Sequence, residues 1–279
     1  MIRTQVSRRL LLSIAASLVS ADLFAQAQAG AKPFEPQVGQ TGKDVVWVPT
    51  PQALVDKMLD LAEVTAKDVV VDLGSGDGRT VITAAKRGAR ARGIEYEPEM
   101  VALSQRNAAA EGVTGRASFA KADLFTTDFS DATVVTMFLL PSINVKLRPK
   151  LLEMKPGTRV VSNTFTMEDW EADETATIPD CDRWCTALFW IVPAKVEGVW
   201  RLDQGELELK QQFQNVTGSL RAGGTGQALS NGKLRGEEIS FSVGTAQYTG
   251  RVNGDAIQGT VTSGATKNAW RATRAARTP

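Results

Sequence analysis

The sequence predicts a doubly wound α/β sheet followed by a small antiparallel all-β barrel or sandwich. Three observations carry this expectation. Strand-like and helix-like runs alternate across residues 45–195, the pattern of parallel strands joined by crossover helices. A glycine-rich turn, Gly74-Ser75-Gly76-Asp77-Gly78, sits between a β-branched run and a helical run. Past residue 197 the composition changes: 13 of the 24 glycines fall in 198–279, among short alternating runs separated by turn signals. The chain has 279 residues, enough for two such domains. The expected division is 1–29 export signal, 30–44 linker, 45–196 α/β domain and 197–279 β-domain.

Arg3, Arg8 and Arg9 form a basic start, and Leu10 to Val19 an apolar core. That core falls short of the ~20 residues a membrane-spanning helix needs. Ala25-Gln26-Ala27 and Ala27-Gln28-Ala29 both offer cleavage spacing. The expected location is therefore exported, periplasmic or extracellular. Ser7-Arg8-Arg9-Leu10-Leu11-Leu12 fits a twin-arginine signal as well as an ordinary secretory one. After cleavage no stretch is long and apolar enough to span a membrane. Export leads to an oxidising compartment, where Cys181 and Cys185 can pair; two separate thiols beside a β-hairpin are the alternative. Residues 30–44, rich in Gly, Pro, Gln and Lys, read as a mobile linker.

In Val48-Pro49-Thr50-Pro51, Thr50 is the expected N-cap and Pro51 the first helical residue. Leu54, Val55, Met58, Leu59 and Ala62 then recur at helical spacing over 51–63. Val69-Val70-Val71 reads as a strand buried on both faces. After the glycine turn come a helix over 79–87, a strand ending at Ile94-Glu95, and a helix from Pro98 that stops at Gly112. Strand 118–122 leads to Asp123, and strand 133–138 to Leu140-Pro141. A helix over 143–154 is expected to break or restart at Pro149. Strands 159–162 and 188–192 follow. Trp200, Leu207, Leu209, Ile239, Phe241 and Val243 mark strands of the second domain. Val216-Thr217-Gly218-Ser219-Leu220, Tyr248-Thr249-Gly250-Arg251-Val252 and Ile257-Gln258-Gly259-Thr260-Val261 read as repeated strands of one meander, with Trp200 and Trp270 placed to close it.

Composition excludes much chemistry. The chain has no histidine, which removes Ser-His-Asp and Cys-His catalysis and every His-ligated metal. Two cysteines cannot build a four-thiolate zinc site, so no metal is expected. A net charge of +1 supplies no bulk field for nucleic acid.

The turn Asp72-Leu73-Gly74-Ser75-Gly76-Asp77-Gly78 has G-x-G-x-G spacing, not the G-x-G-x-x-G of dinucleotide-binding folds. Its leading Asp72 suits a cofactor bearing an ammonium rather than a pyrophosphate. Glu95 falls 23 positions later, at the end of the second strand, where a carboxylate meets ribose hydroxyls. Asp123 ends the third strand. This constellation resembles the class I, seven-strand, Rossmann-like S-adenosylmethionine-dependent methyltransferases across residues 45–195. The resemblance implies S-adenosylmethionine as cofactor. Asp72, Gly74, Ser75, Gly76 and Asp77 would surround its methionine part, Glu95 its ribose, and Asp123 with Leu124 its adenine.

A narrower likeness joins Val48-Pro49-Thr50-Pro51, Asp123-Leu124-Phe125 and Phe138-Leu139-Leu140-Pro141. These resemble a prokaryotic branch near the mitochondrial protein-lysine methyltransferases that modify the ATP synthase and the adenine nucleotide translocase. The likeness implies a protein lysine as acceptor and makes Thr50, Pro51, Phe138, Leu140 and Pro141 the substrate-side candidates. Methyl transfer to an amine proceeds largely by positioning, which suits a chain without imidazole; no general base is assigned. An exported binding or interaction protein without turnover and a small-molecule methyltransferase are the rival readings. The second domain resembles the lipocalin-like β-domains of exported bacterial proteins, as a binding module or a stabilising appendage.

Overall fold

Seven strands in the order β3-β2-β1-β4-β5-β7-β6 form the sheet that carries the site. The computed structural model describes residues 34–203 and 205–275. The expected signal peptide lies outside them. Residues 37–275 belong to one compact unit, and Phe34–Pro36 to another.

Five strands are parallel: β1 (Val69–Leu73), β2 (Arg90–Glu95), β3 (Ala117–Lys121), β4 (Val134–Met137) and β5 (Arg159–Asn163). The edge is closed by β6 (Glu174–Thr177) and β7 (Thr186–Ile191), with β7 antiparallel to both β5 and β6. Helix α1 (Gln52–Leu61) precedes β1, and α2 (Arg79–Lys86), α3 (Pro98–Ala110) and α4 (Pro141–Leu152) connect β1 to β2, β2 to β3 and β4 to β5. The central strands are apolar on both sides because two cores sandwich them. Leu54, Val55, Met58 and Leu59 of α1 join Val70, Val81 and Phe189 in one; Val71, Leu73, Leu147, Leu151, Trp170 and Trp190 build the other.

Four local expectations are corrected. Thr50 does not cap α1. Pro51 is the N-cap, with no side-chain cap bond, and its carbonyl accepts from Leu54 and Val55. The Thr50 hydroxyl instead accepts from Asn163 Nδ2 at 3.2 Å, because that buried amide at the end of β5 requires a partner. Helix α4 starts at Pro141 and runs through Pro149 without restarting. The lost backbone bond is tolerated there because Leu147 and Leu151, on either side of Pro149, are almost fully buried. The short polar strand β6 was not expected. Residues 37–47, partly assigned to a linker, form a small hairpin: Gly39 N donates to Trp47 O, Trp47 N to Gln40 O, and Thr41 bridges Val46.

The second domain is a closed barrel of eight antiparallel strands, β8 (Gly198–Leu202), β9 (Gly205–Gln212), β10 (Asn215–Ala222), β11 (Thr225–Arg235), β12 (Glu238–Val243), β13 (Ala246–Asn253), β14 (Ala256–Ser263) and β15 (Thr266–Arg274). The last strand pairs with the first, Arg274 opposite Trp200, so neither edge is left open. Trp200, Leu207, Leu209, Leu234, Ile239 and Ile257 fill its interior. The repeated glycines have a steric reason. A Cβ on Gly218 would overlap the Glu208 carbonyl of the neighbouring strand, so tight coiling there requires glycine.

The barrel docks at the end of the sheet where the parallel strands begin. Ala194 N donates to Gly236 O, Gln214 Nε2 donates to Glu171 O at 2.8 Å, and Arg235 pairs with Glu174 at 2.7 Å. The Phe213 ring stacks on the fully buried Trp170, with centroids 6.0 Å apart.

Candidate active site

At the opposite end, where β1 to β5 finish, lies a cavity of about 600 Å³. Open α/β sheets bind ligands there, at the point where strand order reverses, which in this sheet is between β1 and β4. Among the expected residues, Asp72, Gly74, Ser75, Gly76, Asp77, Glu95, Asp123, Leu124, Thr50, Phe138 and Leu140 all line it. Pro51 and Pro141 do not; they begin α1 and α4, where a fixed φ serves the helix.

The glycine turn is built for close approach. Gly76 adopts φ +53°, and a Cβ there would stand 2.7 Å from Trp47 Nε1. Gly78, at φ +84°, is the N-cap of α2. Asp77 does not point a free carboxylate at the cavity. It forms a bidentate pair with Arg79, whose Nη1 also donates to Thr50 O at 2.9 Å. The pair ties the glycine turn to the segment before α1.

Among the expected cofactor-side residues, Glu95, Ser75 and Asp72 keep polar atoms for a ligand. Glu95 is fixed by three backbone donors: Gly76 N at 2.8 Å to Oε2, and Tyr96 N and Glu97 N to Oε1. Its remaining acceptor capacity faces the cavity that it lines. Ser75 Oγ is buried with no hydrogen-bond partner among the described residues. Asp72 is buried and accepts from Thr136 Oγ1 at 2.7 Å. Burial, reinforced by the Glu95 and Asp77 carboxylates and opposed by the Thr136 hydroxyl, pushes Asp72 up to about 7. A buried carboxylate with no cationic side chain bonded to it among the described residues, in a cavity that an unpartnered buried hydroxyl also lines, fits an ammonium-bearing ligand.

Asp123 lines the cavity with both carboxylate oxygens already engaged. Its Oδ2 accepts from Lys43 Nζ at 2.7 Å and its Oδ1 from Phe125 N at 2.8 Å. These contacts, the Lys43 bond first, hold its carboxyl below the ordinary range. Lys43 also lies 4.3 Å over the Tyr96 ring. The hairpin over 37–47 is thus tied through Lys43 to the ends of β2 and β3, and its residues 40–47 line the cavity. Sequence reasoning missed Lys43, Trp47 and Tyr96 here, and Phe165 and Trp184 on the far wall. Cys181 and Cys185 are joined in a disulfide within the turn before β7.

The strand order, the glycine turn and the Asp72–Glu95 pair define a class I S-adenosylmethionine-dependent methyltransferase. Residues 72–174 match the model of the ANTKMT methyltransferase domain. A protein-lysine N-methyltransferase of Saccharolobus islandicus is 45% identical over 151 residues, covering 53% of this chain and 94% of that protein. The chain belongs to the family of that enzyme. The adenine nucleotide translocase lysine N-methyltransferase of Mus musculus is 38% identical over 104 residues, which cover 37% of this chain and less than half of that protein (45%). Among solved structures, an RNA methyltransferase from Salinibacter ruber in complex with S-adenosyl-L-homocysteine is 48% identical, with a TM-score of 0.51, over 53% of this chain and 96% of that one.

With burial holding the Asp72 carboxyl up at about 7, cofactor binding is expected to depend on pH. A carboxyl raised to about 7 in the fold holds a proton that the unfolded chain loses near its usual value of 3.8. This group therefore favours the fold at low pH and loses that contribution as pH rises through about 7. A bound ammonium favours the ionised carboxylate instead. Affinity for S-adenosylhomocysteine is expected to fall, by up to about tenfold per pH unit, as pH drops below 7. Calorimetry from pH 5.5 to 8.5 checks this, with Asp72→Asn expected to bind weakly and flatten the profile.

Proposed function

We propose that this methyltransferase transfers a methyl group to a lysine side chain of a protein. The observation that carries this reading is the 45% identity across almost the whole of a protein-lysine N-methyltransferase. The site's electrostatics agree with it. The basic residues lining the cavity, Lys43 and Arg79, are each paired with a carboxylate, so neither is free for a phosphate backbone. The acceptor end is apolar and aromatic.

In this reading Asp72 and Ser75 hold the ammonium end of the methionine part and Glu95 the ribose. The acceptor amine must first be neutral, since free lysine has a pKa of ~10.4; its lone pair then forms the new N–C bond while the C–S pair stays on sulfur, leaving a neutral thioether. The chain's part is to align the partners and exclude water, with residues 40–47 of the hairpin forming part of the cavity wall.

The test is incubation of the full chain with labelled cofactor and a cell extract, followed by mass spectrometry of peptides. Label on lysine, absent with Asp72→Ala, is the expected result. Label confined to RNA, removed by ribonuclease, overturns the lysine reading. Cofactor binding with no transfer to any fraction overturns turnover itself. Residues 1–29 support the further proposal that the protein acts outside the cytoplasm; fractionation with detection of the shortened chain tests it.

A further inference from the structure

The cavity has two chemically distinct halves. Asp72, Glu95 and Asp123 stand at the ends of β1, β2 and β3. Among the described residues, the half beyond β4 is lined by no such carboxylate. There Phe138 follows β4, Phe165 follows β5, and Trp184 precedes β7. These three rings come from segments far apart in sequence, yet they meet. Phe138 and Phe165 stack with centroids 5.8 Å apart. Trp184 stands edge-on to Phe138 at 5.7 Å and tilted against Phe165 at 5.2 Å. All three are half-buried and line the same cavity. Rings this close touch one another, so a ligand packs against their common surface rather than between them.

We propose that Phe138, Phe165 and Trp184 form the acceptor subsite, an aromatic wall that receives an alkylammonium group. The proposal rests on the lysine reading above and names the residues that select the acceptor. The cofactor half of the cavity is set by the carboxylates, so the acceptor nitrogen arrives from the aromatic half. In the transfer, positive charge leaves sulfur and develops on nitrogen. An aromatic face within about 6 Å attracts that charge without supplying a rival nucleophile.

Trp184 is held by the disulfide. Trp184 and Asp180 both adopt positive φ, +60° and +50°, which a non-glycine residue keeps only when its surroundings impose it. The Cys181–Cys185 bond closes the loop around Trp184, and Ile178 N donates to Cys185 O at 3.0 Å beside it. Trp184 is thereby a binding residue whose placement depends on an oxidised loop.

The test uses the full chain saturated with S-adenosylhomocysteine and two probes of equal shape. One is acetyl-trimethyllysine amide, a permanent cation; the other is its neutral carbon isostere. The cation is expected to bind about fivefold or more tighter than the isostere. Trp184→Ala, and separately reduction of the disulfide with dithiothreitol, should bring that ratio below about two, while affinity for S-adenosylhomocysteine changes less than about twofold. Phe165→Leu provides a second variant, and retained S-adenosylhomocysteine binding reports that each variant is folded. Equal binding of the two probes to the wild type, no binding of either, or a ratio unchanged in Trp184→Ala overturns the wall. A cation preference in a protein that labels no lysine upholds the wall and ends the lysine reading. Lysine labelling with unchanged KM in Trp184→Ala does the reverse.

Discussion

Replacing Glu95 with alanine is expected to weaken S-adenosylhomocysteine binding by at least about a hundredfold. Hydrogen bonds to a charged acceptor contribute roughly 1.5–3 kcal/mol each, and a ribose offers two hydroxyls. The variant also strips the partner from Gly76 N, Tyr96 N and Glu97 N, which now meet in one carboxylate. The glycine turn therefore loses its brace as well as its ligand contact. Glu95→Gln is no rescue, because both carboxylate oxygens accept from backbone donors, so either orientation of the amide sets its nitrogen against an N–H. Calorimetry decides the matter. A loss under about tenfold, roughly 1.4 kcal/mol and so below the low end for one such bond, means the carboxylate only braces the turn.

Trp170→Ala is expected to destabilise the chain by about 3–5 kcal/mol. The residue is fully buried. Its carbonyl accepts from Trp190 Nε1 at 2.8 Å, and its ring lies against Trp190 on one side and Phe213 of the β9–β10 turn on the other. The substitution opens a cavity where the two domains meet, so it should lower the urea midpoint of both. Phe213→Ala, which spares the Trp170–Trp190 contact, should cost less. A loss under about 1 kcal/mol for Trp170→Ala, below the usual range for a deleted buried aromatic, shows that the junction repacks around the gap.

The cofactor half of the site was legible because its signals are local. A strand end, a glycine turn and a helix start are contiguous, so Asp72, Ser75, Gly76 and Glu95 could be placed from spacing. The aromatic half was not. Phe138, Phe165 and Trp184 meet only because β4, β5 and β7 are neighbours in the sheet, which no local pattern records. The Lys43–Asp123 pair joins residues 80 apart, and it turns a composition that reads as linker into a hairpin that lines the cavity. Thr50 departs from its expected capping role for the same reason: its partner, Asn163, lies 113 residues away. Strand β6 is short, polar and largely exposed, so its sequence carries no apolar alternation to detect.

The barrel closes where it opened. Arg274, at its end, donates to the carbonyls of Lys195 and Glu197 just before its first strand and stacks over Trp200. The chain thus comes in and goes out at nearly one point, on the side of the sheet away from the cavity. Such a body is modular: it can be added to an existing enzyme through a single junction, with no strand of the sheet interrupted. The Saccharolobus enzyme, covered to 94% by 53% of this chain, has no room for it. The same geometry makes the barrel's outer hairpins a natural handle, where a fluorophore or a surface tether attaches without reaching the chemistry.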